Sequence, residues 1–139
     1  MGAKQNKAIL SDAIKKYNDG DHQALFDIIA DNHIYHTSAD AVLKGLDEYK
    51  KIDNAVSITF PDQQYTIEDI IAEGDMLVWR QTMHATFNGK FKDIAPTGKK
   101  VTLPAICIHR FAEGKIVETW VGRDMMSMLQ QMGVMKPRD

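Results

Sequence analysis

Apolar residues recur at two different periods along this chain, and the change of period divides it. In the first part Ile9, Leu10, Ala13, Ile14 and Tyr17 are spaced by threes and fours, which predicts an amphipathic helix from about Lys4 to Asn18. Gly20 follows as a helix stop, and Asp21 fits the N-cap of a second short helix carrying Ala24, Leu25, Ile28 and Ile29. Asn32 to Thr37 reads as a short strand. A third helix is expected from near Gly45, with Leu46, Tyr49 and Ile52 as its apolar stripe. Asp47 and Glu48 suit its positive N-terminus.

After Pro61 the period shortens to that of strands. Tyr65, Ile67 and Ile71 lie in an alternating, β-branched stretch, and Gly74-Asp75 supplies a tight turn. Met76 to Phe87 is a long strand ended by Asn88-Gly89, a hairpin signal. A polar excursion covers Lys90 to Lys100. Val101 to Phe111 is a third long strand, which Glu113-Gly114 turns back into Lys115 to Gly122. The last helix is expected from Met125 to Met132. Pro104 interrupts the third long strand and predicts an edge position or a bulge.

Helices, then an antiparallel meander, then a closing helix is an α+β order. Long twisted strands curl, so the expected architecture is a cone-shaped half-barrel. Its curved antiparallel sheet wraps around the N-terminal helices, with an apolar pocket between them. Ile106 and Ile108 share one face of their strand, and Leu103, Ala105 and Cys107 share the other. Both faces are apolar, which predicts that both are covered, the outer one as a homodimer interface.

Composition narrows the function classes. At 139 residues the chain is one domain, 44% hydrophobic and 26% charged, an ordinary globule. A net charge of −2 gives no pull toward nucleic acid or acidic membranes, and no apolar run approaches a membrane span. Cys107 is the only cysteine, so no disulfide forms within the chain. With no apolar leader at the N-terminus, a cytoplasmic location is expected. Nucleotide-binding glycine patterns and the serine-hydrolase elbow do not occur, and no cofactor is expected.

Three motifs in register carry a family likeness. Pro96-Thr97-Gly98-Lys99-Lys100-Val101 enters the third long strand. Arg110-Phe111-Ala112-Glu113-Gly114-Lys115-Ile116-Val117-Glu118-Thr119-Trp120 forms a hairpin. Met128-Leu129-Gln130-Gln131-Met132-Gly133 closes the chain. Together they resemble the SnoaL-like polyketide cyclases. The resemblance implies the nuclear-transport-factor-2-like cone fold over residues 1–139 and a cofactor-free aldol chemistry. In that chemistry a base takes a proton beside a carbonyl and donors stabilise the enolate. It also implies a catalytic His three residues before the motif Arg, and an Asp just after the motif Trp. This chain has Cys107 and Val121 at those positions.

Other residues are therefore candidates for proton transfer. Asp124 is either a base at the pocket mouth or the N-cap of the last helix. His36 matches a position that the family turns toward its cavity, and is either a pocket base or a structural histidine. His33 and His36 are three apart on a strand and point to opposite faces, so a metal site is not expected. Arg80, with Thr82 and His84 on one strand face, either polarises a carbonyl or pairs with a cross-strand carboxylate. Arg123 either charges the site or is solvated at a strand end. Tyr17, Trp79 and Trp120 are candidate aromatic walls, and Cys107 a substrate contact or a small core residue. The expected function is binding of a small hydrophobic carbonyl compound, with catalysis of the cyclase or isomerase type. The alternative is a carrier or sensor on the same fold.

Overall fold

The computed structural model describes residues 2–136. Helix α1 (Ala3–Asn18) buries Leu10, Ala13, Ile14 and Tyr17, the stripe expected from its spacing. The chain leaves it through Gly20 at φ +99°, a backbone conformation open mainly to glycine. Asp21 then accepts a bond at Oδ1 from the Ala24 N–H, but α2 (Gln23–Phe26) is a single turn of four residues. Ile28 and Ile29 fall outside it. The Ile116 N–H donates to the Ile28 carbonyl, and β1 (Ile29–His36) begins three residues before the expected Asn32. A short strand β2 (Val42–Lys44) leads through Gly45 into α3 (Leu46–Thr59).

The strands β3 (Gln64–Glu73), β4 (Met76–Thr86), β5 (Lys100–Ala112) and β6 (Lys115–Arg123) form the expected antiparallel meander. It is part of a larger sheet of six strands, in the order β2-β1-β6-β5-β4-β3. The early strand β1 joins the late strand β6 in parallel, with His36 opposite Trp120. Helix α4 (Met125–Met132) follows and ends at Gly133, which is left-handed at φ +83°.

Inside-outside parity holds on β4 and β5 but breaks on β6, where the pairing with β5 shifts between Glu118 and Ile116, and on β3. An irregularity between Ile67 and Asp69 inserts one residue, after which Ile70 and Ala72 face the core and Ile71 faces out at 66% exposure. Asn88-Gly89 does not form a two-residue hairpin. The β4–β5 connection closes only where Phe87 bonds Lys99 and Gly98. Instead the Asn88 and Gly89 N–H groups both donate to the Thr59 carbonyl at the end of α3. A Cβ on Gly89 would stand 1.7 Å from the Ile58 carbonyl oxygen, so glycine there answers a close approach and not a turn type. Pro104 lies where β6 has run out: the β5–β6 pairing ends at Ala105 opposite Arg123, so Pro104 pairs only with Thr82 of β4.

All the helices that bury apolar stripes lie on one face of the sheet. Leu10, Ile14 and Tyr17 of α1 pack with Trp79, Cys107 and Phe111. At the other end Met128 and Met132 of α4 pack on Met83, Phe87, Val101 and Leu103. Among the described residues no helix covers the opposite face, and Ile106 is 53% exposed there.

Candidate functional site

Between α1, α3 and the inner face of β4 to β6 lies a cavity of about 90 Å³, open on one side. Its walls are mainly aromatic: Tyr17, Tyr35, Tyr49, Tyr65 and Trp79. Burial pushes the Tyr17, Tyr35, Tyr49 and Tyr65 phenols above their ordinary range, so each stays protonated near neutrality.

One carboxylate enters this aromatic cavity. Asp53 follows Tyr49 by one helical turn on α3 and projects from the same stripe as Tyr49, Ile52 and Val56. Its Oδ1 accepts the Tyr17 hydroxyl at 2.5 Å, and its Oδ2 lies 2.9 Å from His22 Nδ1. Since a carboxylate has no proton to give, His22 Nδ1 is the donor. The two partners also stack, ring on ring, at 3.8 Å. Asp53 therefore stands between a phenol and an imidazole, with its side chain 11% exposed.

Deeper in the sheet a second polar chain runs across four strands, β4, β5, β6 and β1. The Trp79 indole N–H donates to His109 Nε2 at 2.9 Å, so the neutral His109 ring carries its proton on Nδ1. That Nδ1 lies 2.8 Å from the Thr119 hydroxyl, which lies 2.8 Å from His33 Nε2. The arrangement that leaves fewest groups unmatched has His109 donating to Thr119 and Thr119 donating to His33. The His33 proton then sits on Nδ1, which is buried without a partner among the described residues. Desolvation lowers His33 to about 4 and His109 to about 3, so both rings are neutral above mildly acid pH.

Cys107 and Val121 are register partners on the inner face, and both line the cavity. The two positions at which the resemblance implies His and Asp are thus neighbours in the cavity, holding residues of other chemistry. Burial pushes the Cys107 thiol up to about 11, against the Arg123 charge and a hydrogen bond from Gln81 Nε2 at 3.2 Å. It stays a thiol at neutral pH. Arg123 closes the row of inward residues on β6 and lines the same cavity.

The residues singled out in the sequence are divided between the two faces. Tyr17 and Cys107 line the cavity. His36 does not: β1 turns His33 inward and His36 outward, where its Nε2 bonds Glu118 at 2.7 Å. Trp120 is outward too, stacked on the His36 ring at 5.0 Å, with the Arg110 guanidinium 5.9 Å from its own ring centroid. Arg80 is outward and half-exposed, donating to Asp69 at 2.7 Å on the adjacent strand. Asp124 accepts the Ser127 N–H at 3.0 Å and caps α4. Four of the six named residues thus lie away from the cavity, the outward ones because their positions in β1, β4 and β6 have outward parity.

Asp53 and Thr119 carried signals that went unused. Asp53 is a charge inside an apolar helical stripe, and Thr119 shares parity with the apolar Val121 on one strand. Nothing in the local sequence marks His22, which reaches Asp53 only through the turn after α1.

Residues 8–132 match the family described as SnoaL-like polyketide cyclase. No curated protein matches the chain. Among solved structures it is similar to AclR of Streptomyces galilaeus, a candidate hydroxylase, with 26% identity, 99% of this chain and 86% of that one covered, and a TM-score of 0.86. It is also similar to a candidate SnoaL-like polyketide cyclase from Jannaschia sp. CCS1, at 16% identity, coverage of 97% and 95%, and a TM-score of 0.87. IdmH of Streptomyces antibioticus, a candidate polyketide cyclase, shares 24% identity over 94% and 99% of the two chains, with a TM-score of 0.81. The last two likenesses concern the fold.

Proposed function

Since the chain belongs to the SnoaL-like polyketide cyclase family, we propose that its aromatic cavity binds a small hydrophobic carbonyl compound and transforms it by general acid/base chemistry. The observation that carries this reading is Asp53, a carboxylate held in an apolar cavity by Tyr17 and His22. In the proposed step the Asp53 carboxylate takes a proton from the carbon beside the ligand carbonyl. The C–H electron pair moves into the enolate, and the Tyr17 hydroxyl shifts from Asp53 to the enolate oxygen. No electrons leave the ligand, so the step needs no redox partner. The enolate carbon then attacks a second carbonyl, as in a cyclase, or takes the proton back at another carbon, as in an isomerase.

The test is deuterium exchange at the carbon beside the carbonyl of phenylacetone, a single-ring ketone, followed by NMR. Exchange is expected to exceed the buffer rate and to fall about 100-fold or more in Asp53→Asn, the scale on which a positioned base acts. His36→Ala and Asp124→Asn, which change residues outside the cavity, keep it. Exchange lost in those two and kept in Asp53→Asn overturns the assignment.

A second reading is a carrier or sensor without turnover. Cys107 and Val121 favour it, because neither transfers a proton at neutral pH where the resemblance implies a proton-transfer pair. That reading predicts ligand-induced thermal stabilisation with no exchange. We also propose that the protein is a homodimer through the outer sheet face, which the apolar, exposed Ile71 and Ile106 support.

A further inference from the structure

We propose that the ligand of this cavity is a carboxylic acid, and that Arg123 binds its carboxylate. The inference rests on the cavity taking a small carbonyl compound and names the class within that group. Arg80 and Arg110, both on the outer face, are each matched: Arg80 by Asp69, Arg110 by Asp75 and Glu118. Arg123, on the inner face, has no carboxylate within ion-pair distance among the described residues, and its Nε is shielded from water without a hydrogen-bond partner among them. A guanidinium held in an apolar cavity with an open donor is unfavourable unless something supplies the acceptor.

The cavity does not supply one itself. Its carboxylate, Asp53, is engaged by Tyr17 and His22. The Cys107 sulfur already accepts from the Gln81 amide N–H. Both nitrogens of His109 are satisfied, by Trp79 and Thr119. What is left is a planar fork of N–H donors, the shape that matches a carboxylate with two parallel bonds. The charge already reaches the cavity groups: it opposes the upward push of burial on Cys107, Tyr35 and Tyr65. At about 90 Å³ the space suits a single ring or a short chain in place of fused rings. Asp53 and Arg123 then divide the ligand, the carboxylate going to Arg123 and the reacting carbon toward Asp53.

Benzoate and its neutral isostere benzamide separate the two ideas, measured by calorimetric titration at pH 7 in low salt. The wild-type protein is expected to bind benzoate about 10- to 100-fold more tightly than benzamide, the range of hydrogen bonds to a charged group. Arg123→Gln, with its fold verified by an unchanged Tm, should bring the two affinities together. Arg123→Lys, which keeps the charge without the fork, should restore part of the preference. Equal affinities in the wild type, or a preference that survives Arg123→Gln, overturn the acid assignment while leaving the cavity as the ligand site. Binding of neither probe overturns both.

Discussion

Asp53 and the His33–Thr119–His109–Trp79 chain place polar chemistry inside an apolar shell, and each has a measurable consequence. Tyr17→Phe removes the 2.5 Å bond to Asp53 and leaves that carboxylate with His22 alone. A hydrogen bond to a charged, part-buried acceptor contributes about 1.5–3 kcal/mol, so urea unfolding should show a loss of that size. The two buried histidines make stability depend on pH. Their folded values, about 4 for His33 and about 3 for His109, lie below the ordinary 6.5. The unfolded chain therefore binds two protons that the folded chain refuses, and stability falls as pH drops below 6.5. Near pH 5 the slope should approach two protons, about 2.7 kcal/mol per pH unit. His33→Gln should halve that slope in urea melts taken between pH 6.5 and 5; an unaltered slope contradicts a neutral buried His33. At this scale Tyr17 and Cys107 were legible in the sequence as cavity residues. Asp53, His22 and the histidine chain were not, because each depends on partners 10 to 86 positions away.

At the scale of elements the hydrophobic period gave the helices and the long strands close to their observed ends. It failed where one inserted residue or one distant contact overrode a local rule. The irregularity near Glu68 reverses the facing of Ile71, which parity alone places with Tyr65 and Ile67. Strand β2 has three residues, too few to show alternation. Asn88-Gly89 carries the composition of a tight hairpin, yet its glycine serves the close approach to Ile58 at the end of α3. Gly89→Ala should therefore cost about 1–3 kcal/mol, as steric insertion into packed structure does, with a lowered Tm. A substitution without cost would mean that the approach is looser than described. Asp124→Ala should cost about 1 kcal/mol through loss of the α4 cap, with exchange of phenylacetone protons unchanged. A loss of exchange larger than the loss of folded protein would return Asp124 to the site.

For the whole molecule, the sheet separates two sets of residues. Its inner face holds the cavity, with Asp53 at one wall and Arg123 at another. Its outer face holds His36, Trp120, Arg110 and Glu118 together with exposed Ile106 and Ile71. Neither face could be assigned to the cavity from the sequence, since both carry apolar and titratable groups; the packing of α1 and α3 decides it. If the outer face joins two copies, sedimentation should give twice 15.7 kDa, and Ile106→Lys should give the monomer. A monomer at tens of micromolar would contradict the dimer without touching the cavity. The two tryptophans report on the central claim because one lies on each face. In a ¹⁵N-labelled sample each indole N–H gives its own NMR signal. Titration with phenylacetone should shift the Trp79 signal, whose N–H is bonded to His109 in the cavity wall, and leave that of Trp120 in place. A shift of Trp120 with Trp79 unmoved would put the ligand on the outer face and contradict the account.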